Sequence, residues 1–81
     1  MTEVMEIENE VKKIFFDVFG SLNEENFDPN MKQEDIVGWD SFAHLELITS
    51  TESKFNIKIS PEDALSIRTP SDLSKLIESH T

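Results

Sequence analysis

Apolar residues recur at intervals of three and four at the start of the chain: Val4, Ile7, Val11, Ile14 and Val18, with Phe15 widening the stripe. That period gathers them on one face of a helix and predicts an amphipathic helix over about 3–19. Gly20 follows the last periodic residue and is a good stop, because glycine adopts the left-handed conformation that ends helices. Two heptads and a glycine are too short for a stable coiled coil, so the stripe is expected to face a local core.

The period then disappears. Residues 20–40 contain Pro29, Gly38 and four Asn or Ser residues, with Leu22, Phe27, Met31, Ile36 and Trp39 spaced among them. A connection this long in a small chain is expected to be functional and ordered, pinned by those apolar anchors. Periodicity returns over about 41–55, where Phe42, Leu45, Ile48 and Phe55 fall near one face with Leu47 and Thr51 beside them. Asp40 is a strong N-cap for that helix.

From Phe55 to Ser60 apolar and polar residues alternate, which alone suggests a strand. No second strand is available to pair with it, so an extended connector that buries Ile57 or Ile59 is expected. Two helix starts follow. Ser60-Pro61-Glu62-Asp63 and Thr69-Pro70-Ser71-Asp72 each place a hydroxyl cap, then proline, then acids. They open a short helix over about 61–67, carrying Ala64, Leu65 and Ile67, and a last helix over about 70–79, carrying Leu73, Leu76 and Ile77. The expected fold is all-α, three main helices plus one short one with a long first loop, in a single domain over 1–81.

Composition narrows the chemistry. Eighty-one residues suffice for one modest core but not for a large enclosed active site. There is no cysteine, so any thiol chemistry has to arrive on something bound or attached. Seventeen acidic against seven basic residues give a net charge of −10. That excludes nucleic acid as a partner, because phosphate contacts need Lys and Arg, and favours basic proteins. The acids crowd into residues 20–40, six of them against one Lys, whereas 41–55 holds only Glu46 and Glu52 against Lys54. No apolar run reaches the roughly 18 residues of a membrane span, and the first residues lack the pattern of a signal peptide. A cytoplasmic monomer with no membrane contact is expected.

The informative segment is Gly38-Trp39-Asp40-Ser41-Phe42. It sets a serine in the first turn of a helix, where free backbone N–H groups and the helix dipole favour a phosphate. The plain alternative is a serine that merely starts a helix. His44 follows one turn later, but the flanking glycines of a strained nucleophile elbow are missing, and a surface histidine tuning contacts near a phosphate is expected. Asp28 to Trp39 has calcium-loop spacing at first, yet Gln33 and Trp39 stand where the loop needs Gly and Glu, so no metal site is expected. Trp39 is expected to be a packing anchor.

The run Gly38-Trp39-Asp40-Ser41-Phe42-Ala43-His44-Leu45-Glu46-Leu47-Ile48 resembles the Asp-Ser-Leu motif and following helix of acyl and peptidyl carrier proteins. The resemblance continues at the same spacing through Glu52, Phe55, Ile57, Ile59, Ala64, Ile67 and Thr69 to Leu73 and Ile77. It implies a four-helix bundle without catalysis of its own. It implies a 4'-phosphopantetheine arm, taken from coenzyme A by a phosphopantetheinyl transferase, on Ser41. The thiol of that arm would carry acyl or aminoacyl groups as thioesters to loading and transferring enzymes of a biosynthetic pathway. By the same resemblance Asp40, Phe42, Glu46 and Glu52 fall at docking positions, and Leu45, Ile59, Ala64 and Ile67 at positions that shelter an acyl chain. Phe42 departs from the usual Leu, the second helix is less acidic than in fatty-acid carriers, and Trp39 resembles carriers of specialised pathways. The competing reading is an unmodified acidic helical adaptor for a basic partner. A small hydrolase using Ser41 is a third.

Overall fold

The computed structural model describes residues 4–80. Helix α1 runs Val4–Val18, α2 Ser41–Phe55, α3 Pro61–Ser66 and α4 Pro70–Ser79. A single 3-10 turn, Gln33–Asp35, lies in the long first loop. Among the described residues there is no strand. Residue 3, placed by the sequence in the first helix, lies outside the described residues.

Each predicted start is made by the predicted cap. Asp40 accepts from Ala43 N–H at 2.9 Å, Ser60 from Asp63 N–H at 3.1 Å and Thr69 from Asp72 N–H at 3.0 Å. These side chains satisfy N–H groups that have no partner within their own helix. Helix α2 ends on Asn56 in the left-handed conformation, φ 53°. Asparagine tolerates that geometry better than most residues. Helix α3 is one residue shorter than expected. Ile67 leaves it with extended backbone and drives its side chain into the core.

The core lies where α1 packs against α2 and α4. Ile7, Val11, Ile14 and Phe15 come from α1, Leu47 and Ile48 from α2, and Leu73 and Ile77 from α4. Val18 is only half-buried; Phe19, just past the helix, takes the deeper place. The long loop is ordered as expected, and for specific reasons. Asn23 and Asn26 bond each other's backbone, with Asn23 N–H donating to Asn26 Oδ1 at 2.8 Å and Asn26 N–H to Asn23 Oδ1 at 3.1 Å. Such side-chain bonds fix turns without a helix. Further on, Ser71 N–H donates to Pro29 O at 2.8 Å and Gln33 N–H to Arg68 O at 2.9 Å, tying the loop to α4 and its approach. Leu22, Ile36 and Trp39 are buried, and Phe27 and Met31 half-buried.

Helix α2 corrects the sequence reading. Phe42 and Leu45, expected near the buried face, are exposed, and Phe55 is only half-buried. The inward stripe is His44, Leu47, Ile48, Thr51 and Phe55. Two of these positions are polar, which weakens the apolar period. Thr51 is fully buried because its hydroxyl donates to Leu47 O at 2.7 Å, removing the cost of an unpaired polar group. In the connector that follows, Ile57 and Ile59 are both half-buried rather than one being buried.

An ion pair closes the α1–α2 side: Lys54 Nζ lies 2.8 Å from Glu10 Oε2. The hydrogen bond from Lys54 holds the Glu10 carboxyl below its ordinary value of 4.5, with partial burial opposing and Lys13 assisting. The same bond raises Lys54 above 10.5. A depressed carboxyl contributes stability above its unfolded pKa and loses it as pH falls through the folded value. This contribution therefore fades below pH 4.5, and that of Lys54 above 10.5.

Two outcomes follow. Phe15→Ala, which empties a fully buried ring position, is expected to cost about 3–5 kcal/mol in urea unfolding, whereas Phe42→Ala should change stability by no more than about 0.5 kcal/mol. Equal effects would contradict this core. In an NMR titration, Lys54→Met should move the Glu10 carboxyl midpoint upward; an unmoved midpoint would show that the pair does not form in solution.

Candidate functional site

Trp39 fixes the start of α2. Its ring packs edge-on against Phe15, centroids 5.4 Å apart, and tilts against Phe19 at 5.6 Å. Gly38, just before it, has φ +92°, a conformation that suits glycine. Trp39 can thus turn inward while Asp40 and Ser41 face outward. Asp40 and Ser41 are exposed. The N–H groups of Ser41 and Phe42 lie in the first turn and have no intrahelical acceptor. An anion on the serine oxygen would meet those N–H groups and the positive end of the helix dipole.

Beside Ser41 a groove of about 590 Å³ runs between α2 and α3. Its walls are largely apolar: Leu45 on one side, Pro61, Ala64, Leu65 and Ile67 on the other, with His44, Gln33 and Arg68 supplying polar groups. That volume falls in the ordinary range for small-molecule sites, about 300–1,000 Å³. Leu45 and Leu65 in its walls are 65% and 76% exposed, and Val37 and Phe42, close to Ser41 in the chain, are 80% and 76% exposed. Exposed apolar side chains of this size are unusual on a surface with no contact to make.

Three of the four expected shelter residues line this groove: Leu45, Ala64 and Ile67. Ile59 is half-buried elsewhere in the connector. Among the expected docking residues, Asp40, Phe42 and Glu46 are exposed. Glu52 is half-buried, and its Oε2 accepts from Ile59 N–H at 2.8 Å, so it also holds the connector to α2.

His44 is not the surface residue that the sequence suggested. It is half-buried, accepts at Nδ1 from Trp39 Nε1–H at 3.0 Å, and bonds Ala64 O through Nε2 at 2.7 Å. The Trp39-x4-His44 spacing was visible in the sequence, but nothing there tells a bridge from an exposed histidine. Gln33 was also missed. Its backbone and its side-chain amide, which donates to Trp39 O at 3.2 Å, join the loop to the site.

Comparison with known proteins agrees with this geometry. Residues 9–77 match the family model described as "Phosphopantetheine attachment site". The chain is 35% identical over 74 residues to the acyl carrier protein of Solidesulfovibrio magneticus, covering 91% of this chain and 94% of that one. It is 37% identical over 76 residues to that of Chlamydia trachomatis, 94% and 97% covered. It is 36% identical over 73 residues to that of Desulforapulum autotrophicum, 90% and 95% covered.

The chain belongs to the acyl carrier protein family.

Membership brings 4'-phosphopantetheine as the cofactor. An acyl carrier protein needs a reachable hydroxyl, room beside it for the arm and its load, and no requirement for a thiol of its own. Ser41 is exposed and the groove adjoins it. Among the described residues no helix is long and apolar enough to cross a membrane.

The turn before the serine is open to test. A Cβ at Gly38 would meet nothing within 4 Å, so the cost of Gly38→Ala is conformational rather than steric. Held at a positive φ, alanine should cost about 1–3 kcal/mol in thermal or urea unfolding. A neutral or stabilising effect would mean that the turn relaxes without disturbing Trp39.

Proposed function

We propose that Ser41 is the attachment point of the phosphopantetheine arm, and that the chain carries acyl or aminoacyl intermediates between enzymes of a biosynthetic pathway. The observation that carries this reading is Ser41 exposed in the first turn of α2, beside the apolar groove. In attachment, the Ser41 hydroxyl loses its proton to a phosphopantetheinyl transferase and forms a phosphodiester with the arm's phosphate, and the nucleotide part of coenzyme A leaves. Once bound, the arm supplies the thiol this chain lacks and so permits thioester chemistry.

The protein's own residues bind and orient. First-turn N–H groups of α2 face the phosphodiester, while Leu45, Ala64 and Ile67 offer apolar surface to the cargo. Asp40, Phe42 and Glu46, with Val37 and Leu65, present the surface on which the transferase and the loading and transferring enzymes dock. Glu52 shares that role while holding the connector. Non-catalytic behaviour is supported by His44: both ring nitrogens are engaged, by Trp39 and Ala64, and are not free to activate Ser41 as a base would have to. A cytoplasmic monomer meeting these enzymes in turn completes the reading. The apolar mouth, with little acidic charge on α2, favours partners of a dedicated pathway over the acid-seeking enzymes of general fatty-acid synthesis.

The deciding measurement is intact mass after incubation with coenzyme A and a broad-specificity phosphopantetheinyl transferase. One added phosphopantetheine is expected, absent in Ser41→Ala, whose fold should persist because Asp40 still caps α2. No gain with several transferases would overturn the reading in favour of an unmodified adaptor. Ester hydrolysis by the bare protein would overturn it in favour of a hydrolase.

A further inference from the structure

Helix α3 forms one wall of the groove, yet it is the least anchored helix in the fold. None of its residues, Pro61–Ser66, is buried. It is held by what flanks it, with Ile67 sunk in the core on one side and Ile59 N–H bonded to Glu52 on the other, and by one side-chain bond from α2 to its own backbone, His44 Nε2 to Ala64 O at 2.7 Å.

The chemistry of this bridge fixes its protonation. An indole N–H can only donate, so Nδ1 of His44 must present its lone pair to Trp39. A carbonyl oxygen can only accept, so Nε2 must carry the hydrogen that Ala64 O receives. Only the neutral Nε2–H tautomer satisfies both. A second proton would sit on Nδ1 and face the indole N–H, donor against donor. The imidazole is therefore matched to its two partners in one charge state alone. Charged groups on the elements around the bridge are Arg68, which lines the same groove, Lys32 and Glu34, which with Arg68 line the depression beside Trp39, Asp40, one turn before His44, and Asp63, the half-buried neighbour of Ala64 on α3.

We infer that His44 is the positioning residue of the groove: a latch that, while neutral, ties α3 to Trp39 and so holds the cargo-facing wall in place, and that releases α3 when protonated. The identity of the cargo rests on the carrier reading above; the latch itself does not.

The test begins with the unmodified protein. Trp39 is the only tryptophan, so one indole N–H resonance reports the bond. His44→Phe keeps a planar ring but leaves two polar partners unmatched, which is expected to lower hydrogen-exchange protection at Ala64 and Leu65 about tenfold while protection at Val11 and Leu73 is unchanged. Trp39→Phe removes the donor together with one ring of a buried indole, so its loss of protection is expected in the core as well as at α3. On acidification of the wild type, the indole resonance and α3 protection should change together, and in His44→Phe α3 protection should stay flat. Unchanged α3 protection in His44→Phe, or an equal loss throughout the fold, would overturn the latch. So would an indole resonance insensitive to pH.

A second measurement uses protein loaded with octanoyl-phosphopantetheine by a transferase acting on octanoyl-coenzyme A. Cleavage of the thioester by hydroxylamine should be several-fold faster in His44→Phe than in wild type; equal rates would overturn the role in sheltering. If no arm can be attached while the NMR coupling is present, the carrier reading fails alone. If the arm attaches and the coupling is absent, the latch fails alone.

Discussion

The burial of Trp39 is the constraint on which the site depends. Its ring is wedged between Phe15 and Phe19 of the α1 side, with Phe27 packed edge-on against Phe15 behind it. Aromatic rings packed in this way contribute beyond the area they bury. Because Trp39 is two residues before Ser41, its seat sets where α2 begins and which way its first turn faces. Gly38 makes the reversal possible, and Asp40 ends it by capping. A serine in that turn is thereby held at the surface.

The parts of the fold that were legible in the sequence are those decided by local chemistry. Three caps, the α1 stripe from Ile7 to Phe15 and the loop anchors Leu22, Ile36 and Trp39 each rest on a few neighbouring residues, and these stand where expected. The face of α2 was not legible for a physical reason. Its inward stripe includes His44 and Thr51, polar residues whose burial is permitted only by partners far along the chain or on the preceding turn. Its outward face holds Phe42 and Leu45, apolar residues that a pattern argument assigns to the core. The site inverts the usual rule on both sides. The place of Ser41 in the first turn of α2 was legible from Asp40 and the helix start. The bridge from Trp39 through His44 to Ala64 spans 25 positions and depends on a contact no local pattern encodes.

Charge and apolar surface divide the labour around Ser41. The acids of the first loop supply much of the net negative charge, and such a field would favour the approach of basic proteins over a distance of about a Debye length. The apolar surface is of a different kind. Val37, Phe42, Leu45 and Leu65 are exposed apolar side chains, and their removal from water by a partner would contribute at short range without regard to salt. Long-range attraction by the loop's acids and short-range contact through Phe42, Leu45 and Leu65 would be compatible because those residues occupy different elements, Val37 alone standing in the loop itself. A helix that was acidic along its whole exposed face could not offer both.

The light anchoring of α3 follows from what its position demands. A wall that packed as tightly as α1 against α4 would leave no space beside Ser41, since interiors fill to crystal-like density. A wall with no tie would not define a groove at all, because a helix of six residues is far too short to persist alone in water. The fold resolves this by fixing the two ends of α3 and adding one hydrogen bond to its middle, from an imidazole that is itself held by the residue seating α2. The helix bearing the serine and the wall facing it are thus referenced to the same indole. Any displacement of Trp39 would move both, so the alignment of Ser41 and groove is built into one contact rather than into the packing of the wall.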